Sequence, residues 1–483
     1  MTTFEFGSSD WFDAVEQVFL DIVAAAPTDE LAGVNYTFAE TYTGVPEHLS
    51  ATGRLSWHVR LADGAVHFVR EEPAQADIQI VSDYSTVLPF AATPFDGAGP
   101  PPHVMQVLVK AMADGAFQMT NNGTTPPPAF GGVHDAIAAI TTAPPVDPAS
   151  LEPPFDPTSV LAADLLDLSP YAEEMEPFNR LYADMQAGDN ARPEQPGGIL
   201  ALRKMLEGGL FGAAGGDEPE IRTIDGPRGP IPVRVFVADE VNALYLDIHG
   251  GGWAFGAASM DDGDNLRRAS AAGVAVFSVE YRLAPEYHHP AGLDDCVTVA
   301  RWLLEHGPEE FGVDQLFIGG GSAGAHLAAL TVLALRDSGC DMNRIAGVNL
   351  AVGAYDLTGT PSQRSANGGV AGTWTSSKVL PKLLCPHLDA EEFYRPDVSP
   401  LYADLRGLPP ALFTAAGLDA LRDDSIFMAA LWEAAGNEAD LVVFPNCPHI
   451  FGGLPTKMSA IAQARMDAFV RDHIRATAAS SGH

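Results

Sequence analysis

Apolar residues fall at helical spacing in Trp11, Phe12, Val15, Val18, Phe19, Ile22 and Val23, with Ser9 ahead of them as an N-cap. That pattern predicts a helix opening the chain. Apolar and polar residues then alternate over 34–42, 55–61, 65–69 and 78–81, with Ala62-Asp63-Gly64 as a hairpin turn, which predicts strands paired in an antiparallel sheet. Residues 104–112 read as an amphipathic helix, 116–119 as a strand and 133–140 as a further helix. Together these make a small α+β accessory domain over 1–143.

Pro144, Pro145, Pro148, Pro153, Pro154 and Pro157 then crowd together, and prolines exclude both helix interiors and central strands. Residues 144–158 are therefore a linker. Helical segments follow over 160–210, broken at 190–193 and 196–198, as a lid would be. Short apolar runs at 231–237, 243–248, 274–279, 316–318, 347–352, 411–415 and 441–444 alternate with helical stretches. Such βαβ alternation predicts a mainly parallel sheet covered on both faces, in a second domain over 159–477. The tail, 478–483, is expected to fray.

Composition narrows the partners. With 483 residues, two or three domains fit the usual domain size. The formal charge is −36, from 63 acidic and 27 basic residues. Such a surface repels nucleic acid and anionic membranes, so neither is an expected partner. Cys296, Cys340, Cys385 and Cys447 lack C-x-x-C spacing, which argues against a zinc site and a dense disulfide framework and for reduced, buried thiols. No basic-then-apolar leader opens the chain, and no run of about 18 apolar residues occurs, so a cytoplasmic protein without a membrane span is expected.

Chemistry concentrates in the second domain. Gly320-Gly321-Ser322-Ala323-Gly324 fits G-x-S-x-G, between the apolar run Leu316-Phe317-Ile318 and an Ala/Leu-rich helical stretch. A serine on a sharp strand-to-helix turn needs small neighbours, and such a turn holds its hydroxyl clear of the sheet. His249-Gly250-Gly251-Gly252-Trp253 directly follows the strand 243–248. Bare glycine backbone lets N–H groups approach a developing oxyanion, and losing one such donor costs about 10²–10³ in rate. A phosphate loop would want a following Gly-Lys-Ser/Thr, which is absent.

A nucleophilic serine needs a base, and the base needs an acid. Asp419 lies just past strand 411–415 and His449 just past strand 441–444, both at carboxyl ends of parallel strands, where open α/β sheets place their sites. The order Ser322, Asp419, His449 suits an α/β-hydrolase. Asp423 and Asp424 are rival acids, read as capping or solvated residues of the next helix. His288 and His289 carry no metal-ligand pattern.

The combination resembles the hormone-sensitive-lipase family of α/β-hydrolases. The resemblance runs from about residue 231 to 451 through His249-Gly250-Gly251-Gly252, Tyr281-Arg282-Leu283-Ala284-Pro285-Glu286, Ser322-Ala323-Gly324, Ser399-Pro400-Leu401, Leu408-Pro409-Pro410 and His449-Ile450-Phe451. It implies an α/β-hydrolase fold with a helical cap over 160–210, and no cofactor or metal. It further implies Ser322 as nucleophile, His449 as general base, Asp419 as orienting acid, oxyanion-hole N–H groups from Gly251, Gly252 and Ala323, and a structural role for Glu286. The chain departs from the family at Gly321, where an acidic residue or threonine is usual. It departs again at Ala325 and His326, where glycine and asparagine are usual, and at Ala420, where proline is.

The first domain, with Ala76-Asp77-Ile78-Gln79-Ile80-Val81-Ser82-Asp83-Tyr84 leading into an apolar segment, resembles the sterol-carrier-protein-2 type of lipid-binding domain. The alternative is a packing or oligomerisation module. The expected activity is that of a serine carboxylesterase on a small-molecule or lipid-like ester. Amidase, lactonase and acyltransferase chemistry would use the same triad, and a non-catalytic receptor would use the same scaffold, though receptors of this kind lose the histidine.

Overall fold

The computed structural model describes residues 2–27, 31, 33–94, 104, 107, 111–112, 115–121, 126–130, 132–142, 155–161, 166–180, 219–365, 379–449, 451–454 and 456–475. The chain divides into two compact units. The first is built on residues up to Asp156, and the second on Gly216–Leu454 and the C-terminal helix. Among the described residues between them, 157–172 belong with the second unit and 173–180 with the first.

The first unit is α+β. Its opening strand β1, Phe4–Glu5, pairs in parallel with β7, Thr141–Thr142. Helix α1 spans Ser9–Ala25 and is capped by Ser8, one residue before the predicted cap, whose side chain accepts from Trp11 N–H at 3.2 Å. Five strands form one sheet in the order β4-β3-β2-β5-β6: Ala65–Val69, Arg54–Ala62, Asn35–Thr43, Ile78–Asp83 and Phe117–Asn121. The antiparallel expectation needs correction, because β2 and β5 run parallel. Alternation fixes which face is buried but not the direction of pairing, and the chain between β4 and β5 crosses over to place β5 beside β2.

The unit's further helices include α2, Tyr84–Ala91, and α3, Val133–Ile140, which matches its predicted bounds. The four described positions of the predicted 104–112 helix, 104, 107, 111 and 112, are helical. An aromatic core joins α1 to the sheet. Phe6, Trp11, Phe19, Tyr42 and Trp57 are all essentially inaccessible, and Trp11 Nε1–H donates to Thr141 Oγ1 at 2.8 Å. Glu40 lies on the same face of β2 as Phe38 and Tyr42 and accepts from the Tyr42 hydroxyl. Burial outweighs this bond and raises the Glu40 pKa to about 7.

The second unit carries an eight-stranded sheet in the order β15-β14-β13-β12-β10-β11-β9-β8. In chain order the strands are β8 Glu220–Gly226, β9 Gly229–Val237, β10 Ala243–Ile248, β11 Val274–Val279, β12 Leu316–Gly321, β13 Ile345–Ala351, β14 Ala411–Ala416 and β15 Ala439–Phe444. All pairs from β11 to β15 are parallel, while β9 runs antiparallel to both β11 and β8. Every residue of β10, β11 and β14 is buried, as expected of strands covered on both faces. The covering helices are α4 Asp262–Ala272, α5 Ala291–Phe311, α6 Ala323–Asp337, α7 Arg422–Ala434 and α8 Lys457–His473.

All four cysteines are free; Cys296, Cys385 and Cys447 are buried as expected, whereas Cys340 is half-buried. Among the described residues no helix is long and apolar enough to cross a membrane. Residues 144–154 of the predicted linker, most of the predicted cap and the tail lie outside the described residues.

Candidate active site

β12 ends at Gly321 and α6 begins at Ala323, so Ser322 is the single residue of the turn, with φ 56° and ψ −117°. A non-glycine residue held there costs about 1–3 kcal/mol, which its surroundings must offset. They do so through Ser322 N–H donating to Ala351 O at 2.8 Å and Ser322 O accepting from His326 N–H at 3.2 Å. Two motif glycines are sterically required. A Cβ on Gly320 would lie 2.4 Å from Ile248 O, and one on Gly324 would lie 1.9 Å from the same atom. Gly321 differs, because among the described residues a Cβ there meets nothing within 4 Å.

His449 sits between Ser322 and Asp419. Its Nδ1–H donates to Asp419 Oδ2 at 2.7 Å, and its Nε2 accepts from Ser322 Oγ–H at 2.9 Å. Three side chains, with His449 lying 30 residues from Asp419 and 127 from Ser322 in the sequence, thus form one hydrogen-bonded line. The Asp419 and His449 loops are themselves tied together, by Gly417 N–H to Phe444 O at 2.8 Å and Leu418 N–H to Cys447 O at 2.9 Å. Asp419 is buried, and its second oxygen accepts from Leu421 N–H at 3.0 Å. Burial alone would lower the His449 pKa, but the charge of Asp419 and its hydrogen bond outweigh burial and leave the value raised.

Gly251, Gly252 and Trp253, after β10, are consecutive residues at φ 115°, 57° and 61°. A Cβ on Gly251 would lie 2.0 Å from Phe255 O, and one on Gly252 2.5 Å from the Leu380 side chain. At Gly251 the obstacle is backbone, so that position requires glycine. Ala323 opens α6, and the first N–H groups of a helix have no carbonyl partner within it, which leaves them for an anion. His249 orders the loop from behind: its ring stacks on Tyr281 at 4.2 Å, Nδ1 bonds Gly250 O at 2.7 Å, and burial lowers its pKa to about 4. Within the same Tyr-Arg-Leu motif, Arg282 Nε–H donates to the buried Asp295 at 2.8 Å, which anchors the segment to α5.

The rival acids are not in this line. Asp423 accepts from Ser362 N–H at 2.9 Å. Asp424, expected to be a capping or solvated residue, is fully buried and accepts four bonds, from Tyr355 N–H, Asp356 N–H, Thr360 Oγ1–H and Gln363 Nε2–H. Position in the first turn suggested a cap, but the loop over 355–363 folds onto that carboxylate and takes it out of water. His289 is instead half-buried beside Asp397, at 4.0 Å. His326, noted in the sequence only as a departure, is fully buried against Trp253.

A parallel sheet with a serine elbow at the end of a central strand, and acid and histidine past the ends of the second and third strands along, β14 and β15, defines a hydrolase of the α/β class. A family model described as an alpha/beta hydrolase fold matches residues 245–452. Esterase LipI of Mycobacterium tuberculosis is 31% identical over 257 residues, covering 51% of this chain and 80% of that protein. Carboxylesterase NlhH of the same species is 32% identical over 242 residues, covering 48% and 75%. A solved esterase from the bacterial hormone-sensitive lipase family is 28% identical, covers 63% of this chain and 99% of its own, and superposes with a TM-score of 0.52. The chain belongs to the α/β-hydrolases, in their hormone-sensitive-lipase branch.

Proposed function

We propose that this protein is a serine carboxylesterase. The observation that carries the reading is the line from Ser322 Oγ through His449 to Asp419, with bonds of 2.9 and 2.7 Å. His449 Nε2 takes the hydroxyl proton as Ser322 Oγ attacks the ester carbonyl carbon. The carbonyl oxygen becomes an oxyanion, which the N–H groups of Gly251, Gly252 and Ala323 stabilise. The oxyanion then collapses, re-forming the carbonyl and breaking the bond to the alkoxy oxygen; that oxygen takes the proton from the imidazolium, which Asp419 favours, and departs as the alcohol, leaving acyl-Ser322. Water, deprotonated by the same Nε2, attacks the acyl carbon, and the second intermediate collapses to acid and free serine.

The names of the relatives, esterases and carboxylesterases, support an ester bond over an amide. The complete serine–histidine–aspartate line favours catalysis over a receptor role. We further propose that the N-terminal unit shapes entry for a bulky or lipid-like ester. Removing residues 1–154 should then selectively reduce hydrolysis of bulky esters while short-chain esters are turned over as before.

The test of the catalytic reading is Ser322→Ala on p-nitrophenyl acyl esters, with circular dichroism to verify the fold. Turnover should fall by at least about 10³. A folded variant with wild-type activity would overturn the assignment.

A further inference from the structure

His326 lies one helical turn past Ser322 on α6, at a fully buried position, and its two ring nitrogens bond two other segments of the chain. Trp253 Nε1–H donates to His326 Nδ1 at 3.1 Å. On the far side of the ring, Nε2 lies 2.8 Å from Val398 O. A carbonyl can only accept, so Nε2 carries the proton, and an indole N–H can only donate, so Nδ1 does not. The two contacts together select the neutral ring with hydrogen on Nε2. Burial agrees, lowering the His326 pKa to about 3.

Trp253 is the residue that needs such an anchor. It follows the two glycines of the oxyanion loop and shares their left-handed backbone, at φ 61°, where a bulky side chain is strained. Its backbone is held by Ala284 N–H donating to Trp253 O at 2.8 Å, and its ring meets His326 edge to face at 5.1 Å and 79°. Ala254 and Phe255 then turn back to donate to Gly251 O at 3.1 and 2.9 Å. Fixing the indole therefore fixes the backbone path of Gly251 and Gly252 relative to α6, which carries Ser322 and Ala323.

We propose that His326 is a positioning residue that locks the oxyanion loop to the nucleophile helix through the Trp253 indole. The inference rests on the esterase reading and its assignment of oxyanion donors to Gly251, Gly252 and Ala323. Those donors come from two separate segments, and the imidazole is a direct side-chain tie between them. Its effect falls on the transition state, because the oxyanion needs the donors in register whereas the ground-state ester needs them far less.

Trp253→Phe keeps the ring and removes the N–H; His326→Ala removes the anchor; His326→Gln restores an acceptor and a donor. With a p-nitrophenyl acyl ester, Trp253→Phe and His326→Ala should each lower kcat by roughly 10- to 100-fold with KM little changed. The double variant should be no slower than His326→Ala, and His326→Gln should recover much of the loss. Affinity for a trifluoromethyl ketone, whose serine hemiketal places an alkoxide in the oxyanion hole, should weaken in parallel with kcat. A purely structural role would lower thermal stability without that parallel loss.

Wild-type kcat and ketone affinity in Trp253→Phe and His326→Ala would overturn the proposal, as would losses that multiply in the double variant. Wild-type protein without Ser322-dependent turnover would instead defeat the esterase reading, and this proposal with it.

Discussion

Asp419 holds His449 by a 2.7 Å bond from Nδ1–H to Oδ2, while its other oxygen is held by Leu421 N–H, so the carboxylate faces the imidazole in one fixed orientation. The charge of Asp419 leaves the His449 pKa above its ordinary value of about 6.5, against the lowering effect of burial. Only neutral His449 can accept the Ser322 proton. The ratio kcat/KM should therefore rise with pH through a midpoint above about 6.5. A midpoint at or below that value, or a flat profile from about pH 5 to 8, would contradict His449 as the base. The same raised pKa makes the His449–Asp419 pair stabilising below about pH 6.5, with that contribution lost as pH rises through the folded-state value.

The glycines around the site should divide sharply. Gly251→Ala would force a Cβ to 2.0 Å from Phe255 O at φ 115°, so kcat should fall by more than about 10² as the loop moves. Gly321→Asp meets no described residue within 4 Å of its Cβ, and its thermal midpoint should stay within about 2 °C of wild type. Kinetics and thermal melts on the two variants check this. Equal tolerance at both positions would contradict the described loop path.

Asp424 should behave as a structural carboxylate rather than a second catalytic acid. Asp424→Ala leaves four donors without their acceptor, and should cost about 3 kcal/mol or more in urea unfolding. Burial raises its pKa to about 6 despite those bonds. Protonated Asp424 is thus favoured by the folded state. Its contribution should be greatest below about pH 4, the unfolded-state pKa, and decline as pH rises through about 6. Comparing wild type with Asp424→Asn across that range should show the wild-type advantage shrinking; a growing advantage would contradict the burial.

The second unit was largely legible because fully buried parallel strands are short apolar runs, and β10 and β11 match their predicted bounds to the residue. The meeting of Ser322, His449 and Asp419 was legible for the related reason that all three follow strand ends. β8 was not, because Glu220, Arg222 and Asp225 interrupt Ile221 and Ile224, leaving an edge strand with too weak an apolar signal. The parallel pairing of β2 with β5 was hidden because side-chain alternation is the same for either direction. Asp424 and His326 were hidden because their partners, the 355–363 loop and Trp253, lie about 60 to 70 residues away, and only the folded chain brings them together.

The covalent intermediate is the most direct test of the whole account. Rapidly quenched turnover of a p-nitrophenyl acyl ester, followed by mass spectrometry of the peptide containing Ser322, should find the acyl mass on Ser322 and none in Ser322→Ala. Hydrolysis without acylation of Ser322, or acylation at another residue, would contradict it.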